Sequence, residues 1–321
     1  MKKYMLFLTV FILSISISSA QIKLDFKNPP TEVMLLAEGF ISTPINERDF
    51  ALSPDGTEMY FTISTPQSTF QTIVLSTLGK SGWSKPEIVS FAGKFSDLEP
   101  AFSDDGKKMY FASNRPLTGS KPKDFDIWVV ERQGKLWGEP KNLGEPINTE
   151  LDEFYPSITK KGNLYFTAQY KNGISNEDIF MAAWKNDHFE KPMALDTAVN
   201  SKNYEFNAFV DPDEQFILFT SYGRKDDSGR GDLYMSVKDA SGKWLPSKNL
   251  AFINSTRLDY CPYISPDKKV LFFTSERNDL PISFSEKISY DQIKKLNENT
   301  LNGTGNIYWM NFDKVLEAFR K

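Results

Sequence analysis

The sequence predicts an all-β fold, a five-bladed β-propeller of four-stranded antiparallel blades in which an N-terminal strand completes the last blade. Three observations predict it. A hairpin pattern recurs five times along the 321 residues. Each copy is followed by further strand segments. The one strand missing from the last copy is present ahead of the first. Self-similarity at a fixed period marks an array of units, none of which buries its faces alone. A six-bladed ring is the alternative, but it needs another copy of the repeat, and the chain holds none.

The hairpins are ALSPDGTEMYFT (51–62), AFSDDGKKMYFA (101–112), SITKKGNLYFT (157–167), FVDPDEQFILFT (209–220) and YISPDKKVLFFT (263–274). The second strand carries Phe at one register in every copy: Phe61, Phe111, Phe166, Phe219 and Phe273, on average 53 residues apart. In the turns, Pro pre-sets φ, Asp bonds nearby backbone, and Gly56, Gly106 and Gly162 supply a left-handed residue. Glu214 and Lys268 replace Gly in copies four and five, at a small local cost.

Third strands read TIV (72–74), DIW (126–128), DIF (178–180), DLY (232–234) and NIY (306–308). Asp126, Asp178 and Asp232 open three of them, with Asn306 in register, where they close the preceding loop by local bonds. Outer strands open on Trp83, Trp137, Phe189 and Trp244, and Pro86, Pro140 and Pro192 follow three of these. Proline suits an edge strand because it cannot donate to a ladder. The fifth copy lacks an outer strand. The segment 34–50 aligns with 142–156, the outer strand and link of copy two, so residues 33–36 are expected beside 306–312. That closure leaves no open sheet edge in the ring.

Residues 1–20 read as a signal peptide: Lys2 and Lys3, an apolar stretch, then Ser18-Ser19-Ala20 before Gln21. Residues 21–32 are expected to form a linker and 33–321 a single propeller domain. The formal charge of −4 becomes −6 once Lys2 and Lys3 are removed. Such a surface offers no field for nucleic acid. Nothing after the leader reads as a membrane span. Cys261 is the only Cys, so no internal disulfide forms, and at an inner-strand position it reads as a small apolar residue. His188 is the only His. These scarcities remove His-rich zinc sites and all but one arrangement of a Ser-His-Asp triad.

The run INTELDEFYPSI (147–158), then LYFTA and EDIF, together with SPDG, resembles the TolB-like (WD40-like) β-propeller repeats of bacterial envelope proteins. The resemblance covers about residues 33–315. It departs from the family in blade count, since TolB-type propellers are usually six-bladed, and in lacking an attached domain. It implies a scaffold for protein or envelope-component binding, in the periplasm or outside the cell, and mostly not an enzyme.

An acid stands six residues before each turn Ser or its equivalent: Glu47, Asp97, Glu153, Glu205 and Asp259. In a propeller these links open around the axis, so a ring of five carboxylates is expected. At a spacing of roughly 8 Å and an effective dielectric near 20, each neighbouring pair repels by about 2 kcal/mol. Two compensations are open. Each acid bonds backbone N–H groups or a repeat Arg such as Arg115 or Arg277, or a divalent cation or a partner's cationic group sits at the axis. No other cofactor is expected.

The connections from second to third strand share the face of the acids and carry the variable material: 113–125, 221–232 and an insert at 277–305. Residues 289–299 of that insert read as a short helix capped by Ser289. Arg115, Lys123, Arg224, Arg230, Arg277 and Tyr290 in these loops are the candidate partner contacts. The function expected is an exported, monomeric, non-enzymatic scaffold that binds a protein or cell-envelope partner. The alternatives are a carbohydrate- or cation-binding propeller, and a five-bladed glycoside hydrolase or lyase.

Overall fold

The structure, a computed structural model, describes residues 22–320. The expected signal peptide therefore lies outside the described residues.

The five repeats form five blades whose strands run outward from a common axis. Their inner strands are Asn46–Leu52, Asp97–Phe102, Glu153–Ile158, Tyr204–Val210 and Asp259–Ile264. Each pairs antiparallel with its hairpin partner, and that with a third strand, such as Lys108–Ser113 with Asp126–Gln133 in blade two. The repeat Phe residues of the second strands are buried between blades, at 0–1% exposure. That burial explains why the register recurs: each blade covers its neighbour's apolar face. Gly56, Gly106 and Gly162 take φ of 71°, 68° and 83°, and Glu214 and Lys268 adopt the same left-handed conformation at 55° and 56°.

The outer strands are short and broken. In blade one, Gly82–Trp83 and Glu87–Ile88 both pair with Gln71–Gly79, and Pro86 sits in the gap between them. Pro140 falls in the same gap of blade two, between Leu136–Trp137 and Lys141–Asn142. Proline removes a ladder donor there, where an edge tolerates the loss.

The N-terminal segment closes the ring. Met34 pairs with Trp309 and Leu35 with Tyr308, antiparallel, so blade five takes its outer strand from the start of the chain. The Leu36 amide adds a bond of 2.8 Å to the Ile307 carbonyl. Residues 22–32, read from the sequence as a linker, reach further. Ile22 bridges to Trp83, and the Phe26 ring lies 5.4–6.5 Å from Phe50, Trp83, Phe272 and Trp309. They form a wedge between blades five and one.

Two α-helices stand among the described residues. Tyr290–Asn297 carries the expected Ser289 cap, with a capping box to Gln292. Phe312–Phe319 was not anticipated; Asn311 caps it, and Phe312 and Val315 are buried against Phe216 and Leu250. Its apolar residues fall at i, i+3, i+4 and i+7, a pattern too short to read at the end of a β repeat.

Leu36 is fully buried in the cluster that joins blades five and one. We expect Leu36→Ala to cost about 2–5 kcal/mol, read as a lowered urea midpoint with unchanged slope, and deletion of residues 21–40 to leave no cooperative transition.

Candidate functional site

The five repeated acids are all buried, at 0–1% exposure, and each is bonded inside its own blade. Glu47 accepts from the Thr43 amide and hydroxyl, Glu153 from those of Thr149, Glu205 from those of Ser201 and Asp259 from those of Ser255. The partner is always four residues earlier, so the carboxylate clamps the link that crosses from the previous blade. In blades one, three, four and five the acid's own amide donates to that previous blade, as Glu153 does to Phe125 and Asp259 to Gly231.

A second partner arrives from the loop after strand two. In blades two, four and five it is an arginine. Arg115 bonds Asp97 and the Phe91 carbonyl, Arg224 bonds Glu205 and the Val199 carbonyl, and Arg277 bonds Asp259 and the Ile253 carbonyl. Each carbonyl lies six residues before its acid. Each guanidinium also lies over two rings of its blade, as Arg224 does over Phe219 and Tyr234. In blade three Tyr170 replaces the arginine, and its hydroxyl donates to the Ile147 carbonyl, again six residues before the acid. In blade one no such partner is found among the described contacts of Glu47. Burial pushes Glu47 up to about 8 and Glu153 up to about 7, and raises Asp97 too, against the pull of Arg115.

These contacts correct two expectations. The acids do not line the axis; their side chains are used within the blades. Arg115, Arg224 and Arg277 are held by blade carboxylates rather than displayed to a partner, and Lys123 is drawn to Asp126 at 2.6 Å. Of the six candidate contacts, Arg230 and Tyr290 are exposed; Arg230 stands 3.9 Å from Glu276.

What occupies the axis is the residue two positions after each acid. Every inner strand breaks register there, and the residue at the break has a left-handed backbone: Asp49 (61°), Glu99 (62°), Tyr155 (51°), Asn207 (51°) and Cys261 (52°). A bulge in the innermost strand re-aims one side chain per blade, and non-Gly residues in this region store strain of order 1–3 kcal/mol each. Three of these side chains meet Arg48. Its guanidinium reaches Asp49 at 2.7 Å, Glu99 at 2.8 Å and the Cys261 sulfur at 3.5 Å. Asn207 donates to Glu99, and the Tyr155 amide donates to Glu99 Oε2 at 2.7 Å.

That last bond has a sequence cause. In blades one and three the hydroxyl of Thr62 or Thr167 accepts the amide of the next blade's axial residue, Glu99 or Asn207. Blade two has Ala112 at that register, and the Glu99 carboxylate takes the Tyr155 amide instead. Burial lifts Glu99 above the usual carboxylate range, with Arg48 opposing and Asp49 adding to the shift. Burial and the Asp49 charge push the Cys261 thiol up, so it stays protonated. Arg48 thus supplies a positive charge to the axial cluster. Among the described residues no group of three or more His, Cys, Asp or Glu side chains is placed to hold a metal ion.

The sequence reading missed this cluster. Its signal was a register that turns over through Asp, Glu, Tyr, Asn and Cys while its neighbours repeat. On the hairpin-turn side Asp49, Glu99 and Tyr155 floor a cavity of about 120 Å³, walled by prolines and aromatic rings. On the loop face a wider cleft between blades two and three is lined by Leu117, Lys123, Tyr170, Lys171 and Lys191.

No family model matches the sequence, and no curated protein matches it. Solved structures do. A TolB-type protein of Agrobacterium tumefaciens is 15% identical, with 84% of this chain and 91% of that one covered and a TM-score of 0.49. TolB of Acinetobacter baumannii is 14% identical over 83% of this chain and 54% of that one, with a TM-score of 0.47. A glycoside hydrolase is 9% identical over 88% and 91%, with a TM-score of 0.52. The likeness is one of fold.

Two outcomes test the clamps. Arg224→Ala leaves a buried carboxylate unpaired and should cost about 3–5 kcal/mol, measured by urea denaturation, with Arg224→Lys a poor rescue because one ammonium cannot span both acceptors. Glu47 and Glu153 hold their protons to higher pH folded than unfolded, so the native state binds more protons above about pH 5. Stability should fall as pH rises from there through about 7–8, by at most about 1.4 kcal/mol per unit for each group, and Glu47→Gln should flatten that slope.

Proposed function

We propose that the chain is an exported, non-catalytic propeller scaffold that binds a protein or another cell-envelope component through its loop-rich face. The observation that carries this reading is the blade-five insert. Leu280, Ile282, Phe284, Tyr290 and Ile293 are all exposed there, Ile282 completely, and the helix Tyr290–Asn297 buries none of its residues. Apolar side chains concentrated on one exposed insert are the mark of an interaction surface. A rigid ring gives such an insert a fixed platform, and the charged groups of its axis are engaged with one another rather than open to that face.

Export is supported by the leader-like first 20 residues. Among the described residues no helix is long and apolar enough to cross a membrane. Crosslinking in the native envelope, followed by identification of what is captured, tests the reading. Replacing Ile282 and Phe284 with Asp should weaken capture about thirtyfold, the scale of a 2 kcal/mol hot spot, while leaving the melting temperature unchanged. Capture that survives both changes refutes it.

One observation favours a second reading, glycoside hydrolysis. Asp49 and Glu99 are unlike carboxylates on one cavity floor, and that chemistry uses two carboxylates in unlike environments. Both are bound to the same guanidinium, which argues against a free acid and base. Release of nitrophenol from aryl glycosides, abolished by Asp49→Asn and by Glu99→Gln, would establish it.

A further inference from the structure

The axial cavity opens on the hairpin-turn face, opposite the loops, and the polar groups around it are engaged within the protein. Arg48 reaches Asp49 at 2.7 Å and Glu99 at 2.8 Å, and the Cys261 thiol hydrogen-bonds Asp49. Glu99 also receives Asn207 and the Tyr155 amide. The two carboxylates are only 2% and 4% exposed. The tyrosine hydroxyls are spent on backbone: Tyr155 donates to the Pro262 carbonyl at 3.0 Å and Tyr263 to the Leu52 carbonyl at 2.8 Å. Ser157 accepts the Val210 amide. At the rim Lys160 is held by Asp213 at 2.8 Å and Lys268 by Asp211 at 2.6 Å.

What remains for a ligand is apolar surface. Ala101, Phe102, Phe209, Pro212 and Tyr263 line the cavity and are only half-buried. Pro100 and Pro156 add walls that carry no N–H. A polar or charged guest would give up its water and find no free partner, which argues against a sugar, an ammonium group and a metal ion alike. An apolar guest gives up no hydrogen bond, and it displaces water that such walls hold poorly. The space is about 120 Å³; an apolar cavity of about 150 Å³ takes benzene, so one ring is the size of guest it admits. The walls favour a ring as well. Phe209 and Tyr263 lie 5.4 Å apart at 78°, and aromatic side chains attract a further ring in offset or edge-to-face contact.

We propose that the axial cavity is a binding site for a single neutral apolar group of phenyl size, held by burial and ring contact with no hydrogen bond. The group lies against Phe209 and Tyr263, and whatever carries it leaves through the mouth between the exposed turn prolines Pro54 and Pro266. The ion-paired lysines form a polar collar around an apolar hole, the arrangement of an anchor pocket. The site is separate from the loop face and does not depend on what docks there.

The probe is fluorobenzene, followed by its fluorine NMR signal as the protein is added. Saturable broadening, reversed by unlabelled benzene, is expected. Benzylammonium, benzoate and xylose should displace the probe at least about tenfold more weakly than benzene, because each would bury polar groups without partners. Ala101→Leu fills the cavity from its wall and should abolish binding. Ala101→Val is the smaller filling for the case in which Leu prevents folding, and it should weaken binding about tenfold. Nα-acetyl-phenylalanine N-methylamide separates the sources: displacement as effective as by benzene assigns the ring to a side chain of a partner, and displacement by benzene alone assigns it to a free hydrophobic molecule. No saturable signal, undiminished binding in the Ala101 variants, or displacement by a charged ring or by xylose as effective as by benzene would overturn the proposal.

Discussion

The fold depends on burying a carboxylate at the entrance to every blade. Isolated, such a charge would cost several kcal/mol. Here each is met by an amide and, in four of the five blades, a hydroxyl four residues back, and in blades two, four and five by an arginine as well. In blades one, three, four and five the acid's own amide bonds the blade before it, so the same residue that holds a link to its strand also holds one blade to the next. A propeller has no continuous sheet around its ring. The clamps, with the apolar clusters between blades, carry that continuity.

Because the clamp fixes where each inner strand starts, it also fixes where each strand bulges. Two residues later the backbone turns left-handed in every blade and delivers one side chain to the axis. Five side chains of different chemistry thus meet where the repeat alone would place five alike. Arg48, contributed by a single blade, sits among Asp49, Glu99 and Cys261 and supplies the positive charge such a cluster needs. The symmetry of the scaffold is spent at its rim, and the asymmetry is concentrated at its centre.

The two faces are consequently different in kind. The loop face is uneven, with the blade-five insert presenting apolar side chains that the ring has no use for. The turn face is regular, built from like hairpins, and narrows onto the axial floor. Nothing in the clamps links the two, since Arg48 with Tyr260 lies between them, the guanidinium 5.2 Å from the ring.

Much was legible in the residues themselves. Blade count, hairpin register, the capped helix at Ser289 and the closing strand at Met34–Leu35 all follow from local pattern, because turn chemistry and alternation act over a few residues and five copies average out the noise. The acids, too, were visible as a repeated position. Their destination was not. Whether a carboxylate at a strand entrance faces the axis or its own link is decided by a bulge two residues on, and no residue type there announces it, since Asp, Glu, Tyr, Asn and Cys all adopt the same conformation. Only the assembled ring brings residues 51 to 213 positions apart within hydrogen-bond distance, so the axial cluster, the wedge of Phe26 and the partnership of Arg48 with Glu99 belong to the tertiary structure. Local propensity fixed the units, and long-range packing decided what they enclose.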